Sequence, residues 1–126
     1  MSERRPRAAL FATQFGAYSQ TFIYDEARLH TRYDIEVFSR VRSNHDAFPF
    51  EPVHTVNGRL PAAVYGVTTY SRQYRQRLKD GDFDLIHAHF GPGSIYALPY
   101  QRATKLPLVV TYHGYDVPLL MTSRRF

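Results

Sequence analysis

The stretch DLIHAHFGPGSIYALPY, Asp84 to Tyr100, decides the fold. Its first part is apolar at Leu85, Ile86 and Ala88 and ends on Gly91, Pro92 and Gly93; its second part is apolar and aromatic over a longer run. A short apolar run, a Gly/Pro break and a longer apolar run read as a strand over 84–89 covered on both faces, then a helix over 93–104. Side chains alternate across a strand, so His87 and His89 share one face while Ile86 and Ala88 take the other.

Working outward, the segment LVVTY at 108–112 is rich in β-branched residues and bounded by Pro107 and Gly114, which predicts the next strand. Upstream, Ala8 to Thr13 is a nearly continuous apolar run of the same buried kind. A turn around Gly16 leads from it into SQTFIYDEARLH, where Phe22, Ile23, Ala27 and His30 fall on one side of a helix. Ser19 or Thr21 suits its N-cap, and Asp25 and Glu26 are placed early enough to favour the helix dipole. The segment DIEVFS at 34–39 alternates as a second, less deeply buried strand, RSNHDAFPFEP is loop, and 53–56 is a short strand. From Leu60 to Lys79, Leu60, Val64, Val67, Tyr74 and Leu78 recur at helical spacing, predicting one amphipathic helix with that stripe inward and Arg72, Arg75 and Lys79 on another face. Strands alternating with helices indicate one α/β domain spanning 1–126, a Rossmann-like doubly wound parallel sheet.

Composition narrows the chemistry. The 126 residues suffice for one domain with a core, and 44% hydrophobic with 21% charged residues is a globular balance. The absence of cysteine excludes disulfides, thiol catalysis and thiolate metal sites, and leaves the redox compartment open. A net charge of +5 favours anionic partners such as phosphorylated molecules, nucleic acid or acidic lipid. The basic start MSERRPRAALFATQF carries too short an apolar run for a cleaved leader, and no stretch has membrane-spanning length, so a soluble, cytoplasmic chain is expected.

In a parallel sheet, ligands bind beyond the carboxyl ends of the strands. Gly16, Ser19 and Gln20 follow the first strand there; His89, Phe90 and Gly91 follow another, and His113 ends the last. Asp82 and Asp84 enter their strand at the opposite edge, as a surface turn, so a glycosidase-type acid pair at this rim is unsupported. His87, His89, His113 and Asp116 together supply a zinc donor set, the alternative being a buried His87 that hydrogen-bonds backbone. Ser94, His113 and Asp116 lack the Gly-x-Ser-x-Gly elbow of a hydrolase triad. Tyr70 and Tyr74 between Arg72 and Arg75 offer stacking to bases, yet pack more simply against the sheet, and no nucleic-acid partner is expected.

SQTFIYDEARL, DLIHAHFGPGSIYALPY and LPLVVTYHGYDV, in this order and spacing, resemble the amino-terminal domain of retaining, nucleotide-sugar-dependent glycosyltransferases of family four, above all those building bacterial exopolysaccharides such as colanic acid. The resemblance runs from about Ala8 to Pro118 and implies one incomplete half of a GT-B fold, in which two Rossmann-like domains face each other across a cleft. It implies a glycan or lipid-linked acceptor on this side, a nucleotide sugar as co-substrate, and no resident cofactor or metal. The loop at 15–20 is implied near the donor phosphates, which amides at a helix start would favour. His89, Phe90 and Gly91 are implied to line the acceptor side, with His89 presented to the cleft and His87 anchoring the strand behind it. His113 is implied to contact the transferred sugar as positive charge develops, with Asp116 fixing it. The Arg, Lys and Glu residues that grip the donor in relatives belong to the other domain. The expectation is therefore a fragment inactive alone, needing a missing domain partner or forming a dimer across an unpaired sheet edge. Alternatives are a flavodoxin-like module holding a phosphorylated ligand or partner protein, and a His-ligated zinc hydrolase. The arginine stripe fits peripheral contact with the inner face of the plasma membrane.

Overall fold

The computed structural model describes residues 5–112, with only the backbone of residues 90–92. His113 and Asp116 therefore lie outside the described residues, as does the side-chain placement of Phe90. Five strands, β1 (Arg7–Phe15), β2 (Asp34–Arg42), β3 (Val53–His54), β4 (Leu85–His89) and β5 (Leu108–Thr111), form one sheet in the order β3-β2-β1-β4-β5. Every neighbouring pair is parallel. Helix α1 (Thr21–Leu29) covers one face; α2 (Arg59–Thr68), α3 (Arg72–Asp80) and α4 (Phe90–Thr104) cover the other. This is the α/β Rossmann-like architecture expected from the sequence, consistent with one half of a GT-B fold.

Strand β1 is central, and Ala8, Ala9, Leu10, Phe11 and Ala12 are all buried. Leu10 and Ala12 pack with Val37 against Ile23 and Ala27 of α1. On the opposite face Phe11 is stacked between Phe38 at 5.2 Å and Tyr100 at 5.4 Å, ring centre to ring centre. Tyr74 stands edge-on to Phe38 at 5.0 Å. Aromatic pairs in these arrangements contribute beyond the area they bury. The phenols of Tyr65, Tyr74 and Tyr100 are pushed up by burial and stay protonated. The Tyr74 hydroxyl shares its proton between the carbonyls of Ser39 at 2.7 Å and His54 at 2.8 Å, tying α3 to β2 and β3 at once.

The segment 60–79 is not one helix. Thr69 takes a left-handed conformation, φ 63°, and Ser71 caps α3 by accepting from the Tyr74 amide at 3.3 Å. Tyr100 of α4 holds the break in place: its hydroxyl accepts from the Ser71 amide at 2.7 Å and donates to the Thr69 carbonyl at 3.1 Å. A helix cannot continue through a residue whose amide and carbonyl neighbours are already taken by a buried phenol. The break also reorients the expected inward stripe. Tyr74 and Leu78 do face the core, but Leu60, Val64 and Val67 point outward and Tyr65 is the buried anchor of α2.

The start of α1 differs too. A short 3-10 turn over Tyr18–Gln20 precedes it, Gln20 is its N-cap, and neither Ser19 nor Thr21 caps it through a side chain. Asp25 and Glu26 lie past the first turn, with Asp25 paired to Arg28 at 3.1 Å. Asp84, as expected, serves the amino edge: its carboxylate accepts from the Arg7 amide at 2.8 Å.

Candidate functional site

Strands β1, β4 and β5 are neighbours and run the same way, so their exits open on one edge. The exits are Gly16 after β1, the junction of His89 with α4, and Tyr112 after β5. Gly16 is required there by backbone geometry. Its φ is 96°, and a β-carbon would lie 1.9 Å from the Ser43 carbonyl oxygen. Asn44 donates its amide to the Gly16 carbonyl at 2.8 Å, and the Ser43 amide reaches the Phe15 carbonyl at 2.8 Å. The turn after β1 is thus clamped to the end of β2, which leaves Ser19 exposed and Gln20 half-buried on its outer side. The Gln20 amide closes the turn on the Ala17 carbonyl at 2.9 Å.

The two histidines of β4 share a face, but their exposures are the reverse of those expected. His89 is wholly buried, 0% exposed, beneath α1, and does not present its ring to solvent at the rim. His87 is the more open of the two, with 17% of its side chain exposed. It opens onto a groove beside α1 lined by Glu26, His30, Tyr33, Leu85, His87 and Val109. Its Nε2 lies 2.6 Å from the Thr111 hydroxyl on β5, so it bonds a neighbouring side chain as well as anchoring the strand.

A carboxylate accompanies that burial. Glu26 of α1 lies over both rings, with one oxygen 3.7 Å from Nδ1 of His87 and the other 3.4 Å from Nε2 of His89. The rings lie 4.6 Å apart, centre to centre. A carboxylate shared by two imidazoles makes burial of His89 tolerable, because a charge on either ring has its counter-ion beside it. The same three residues bring their ligand atoms within 4.8 Å of one another, a His2Glu set that suits a divalent transition metal. This set differs from the expected one, since Glu26 joins and His113 and Asp116 lie outside the described residues. His30 lines the same groove, but its Nδ1 accepts from the Tyr33 amide at 3.2 Å.

The sequence does carry a signal for Glu26. It sits three residues after Ile23 and directly before Ala27, the two buried residues of α1, so helical spacing places its carboxylate beside the face that meets the sheet. A second ionic cluster, Glu36 with Arg77 and His54, lies on the other face, away from the rim. Glu36 accepts from Arg77 at 2.6 and 2.7 Å, and one of its oxygens lies 2.8 Å from Nε2 of His54. Burial pushes this carboxyl up, but the hydrogen bonds and charges of Arg77 and His54 outweigh it and hold the group below its ordinary value of 4.5.

The chain is similar to the D-inositol 3-phosphate glycosyltransferase of Arthrobacter sp. (strain FB24), with 26% identity over 94 residues, covering 64% of this chain. It spans 22% of that relative's length. The sequence model of Glycosyltransferase Family 4 matches residues 19–126, which takes in α1, the Glu26 cluster and the exits of β4 and β5. With most of its length covered by that match, the chain belongs to glycosyltransferase family 4.

Proposed function

We propose that this chain is the acceptor-side domain of a retaining, nucleotide-sugar-dependent glycosyltransferase that transfers a sugar to a glycan or lipid-linked acceptor in bacterial exopolysaccharide synthesis. The observation that carries the reading is the shared edge: β1, β4 and β5 lie side by side and parallel, in a chain of this family, so three loops open on one rim. On that rim the turn bearing Gly16, Ser19 and Gln20 faces the donor phosphates, and the backbone at Phe90 and Gly91 borders the acceptor. His113 positions the transferred sugar, and Asp116 steadies His113. His89 is a positioning residue: with Glu26 it holds the end of β4 from behind the rim. The donor diphosphate is gripped mainly by the second domain that the resemblance to the family implies.

Calorimetric titration of the 126-residue chain with glycan acceptors and nucleotide sugars tests this. Acceptor binding is expected, and nucleotide-sugar binding is expected to weaken about fivefold in His113→Ala, the order of loss when one hydrogen bond worth roughly 1 kcal/mol is removed. Radiolabelled nucleotide sugar with a lipid-linked acceptor is expected to give no product from the chain alone. Binding of a bare phosphorylated ligand, indifferent to the sugar and to His113, would instead favour a non-catalytic module and overturn the proposal.

A further inference from the structure

Glu26 comes from α1, His87 and His89 from β4 and Thr111 from β5, so one cluster ties a helix to two strands. Its spacings do not suit simple ion pairing. The Glu26 oxygens stand 3.7 Å from Nδ1 of His87 and 3.4 Å from Nε2 of His89. A charge-assisted hydrogen bond would draw such atoms to about 2.7–2.9 Å. Ligand atoms bound at about 2.0–2.1 Å to a tetrahedral zinc ion, in contrast, stand about 3.3–3.4 Å from one another. All three ligand atoms lie within 4.8 Å of one another, so small side-chain rotations bring them to that spacing.

A supporting bond is also in place. Nε2 of His87 lies 2.6 Å from the Thr111 hydroxyl, which leaves Nδ1 as the nitrogen turned to the carboxylate. Metal-bound histidines bond their other ring nitrogen to a fixed partner, which sets the tautomer and the ring plane. Access and charge agree with this. Glu26 and His87 line a groove of about 170 Å³ beside α1, with space for a water as a further ligand. Among the described residues no lysine or arginine lines that groove, and Arg28 of the same helix is paired with Asp25 at 3.1 Å. In a chain of net charge +5, this carboxylate therefore faces imidazoles rather than a fixed cation.

We propose that Glu26, His87 and His89 bind one divalent transition metal ion of the zinc type, with water as the fourth ligand, fastening α1 to β4 behind the rim. Two imidazoles and a carboxylate select zinc or cobalt over magnesium, which takes an octahedron of oxygens. The ion sits at the end of β4 that leads into α4, so its effect is to hold that exit in place. The site goes beyond the family resemblance, which implies no resident metal. It does not rest on sugar transfer, since metal binding needs neither donor nor acceptor.

Calorimetric titration of the metal-stripped 126-residue chain with Zn²⁺ tests it. One equivalent is expected to bind with saturation, Mg²⁺ at the same concentration is expected not to bind, and Co²⁺ should give the visible absorption of a tetrahedral site. Zinc at about one hundred times Kd should raise the melting temperature by roughly 10 °C. Thr111→Val should weaken zinc binding about tenfold or more, the range for losing a partner that orients a ligand. Glu26→Gln and His87→Gln, which each remove a ligand at a partly exposed position, should weaken it further than that, with an unchanged circular dichroism spectrum. Absence of saturable zinc binding by the folded chain, equal affinity for Mg²⁺, or undiminished binding by folded Glu26→Gln and His87→Gln would overturn the proposal. Should those two variants lose their fold, nitrogen NMR of the unaltered chain decides: zinc should shift the ring signals of both His87 and His89, and unshifted rings would overturn the proposal.

Discussion

Helices α2 and α3 are neighbours in sequence, almost equal in length and packed on the same face of the sheet, yet they reverse the usual relation between composition and burial. RQYRQRLKD of α3 is almost wholly polar and is firmly held; RLPAAVYGVT of α2 is almost wholly apolar and hangs on one phenol. The difference is in the anchors. Helix α3 inserts Tyr74 and Leu78 into the aromatic core, is capped by Ser71, and is pinned to β2 by Arg77 on Glu36. Helix α2 has Tyr65 packed edge-on to Tyr74 at 5.3 Å, and the rest of its surface faces outward. Burial follows the few side chains that reach a complementary site, and apolar residues left outside are available to something else.

The contrast can be broken most severely at Tyr74. Tyr74→Ala removes a ring in contact with Phe11, Phe38, Tyr65 and Tyr100 together with the hydroxyl shared by two strands. It should cost about 3–5 kcal/mol in chemical denaturation, the range for deleting a large buried ring. A loss below about 1 kcal/mol would show that α3 is not the anchored member of the pair.

Glu36 sharpens the same comparison at lower cost. Its carboxyl titrates lower in the folded chain than its ordinary 4.5. As pH falls from about 4.5 toward the folded value, the unfolded chain takes up the proton first, so stability present at neutral pH is lost on the acid side. Glu36→Gln should cost about 1–2 kcal/mol at pH 7, less than a fully buried pair because Arg77 is partly exposed. It should also flatten the decline in melting temperature below pH 4.5. An identical acid slope in wild type and variant would show that the Arg77–Glu36 pair contributes nothing to holding α3.

The smallest effect belongs to α2. Val67→Ser should change stability by less than about 0.5 kcal/mol, the usual range for a surface substitution. A larger loss would mean that Val67 packs against the domain after all.

These helices also show where reading the sequence succeeds. Tyr74 and Leu78 were assigned to the core by spacing and are buried, whereas Leu60, Val64 and Val67 carried the same spacing and are not. Periodicity identifies a face without saying what lies opposite it. The break at Thr69 arises from Tyr100, 31 residues away, whose hydroxyl occupies the backbone groups a continuous helix would use. At the rim, the alternation of β4 correctly placed His87 and His89 on one face. Which of the two is exposed depends on how α1, carrying Glu26, packs over the strand, a contact between residues more than 60 positions apart. Gly16, expected in a ligand loop, is required by the fold itself through the closeness of the Ser43 carbonyl.

Local chemistry was enough to determine the order of strands and helices and the parallel sheet, because apolar runs and their Gly/Pro boundaries act within a few residues of themselves. The carboxyl-edge rim followed from that topology, and the motifs on it pointed to the family. Tertiary structure alone decided the break between α2 and α3, the burial of His89 under Glu26 and the outward ridge of α2. Each of these is a competition for one partner among groups distant in sequence, and such a competition is settled only when the chain has folded them together.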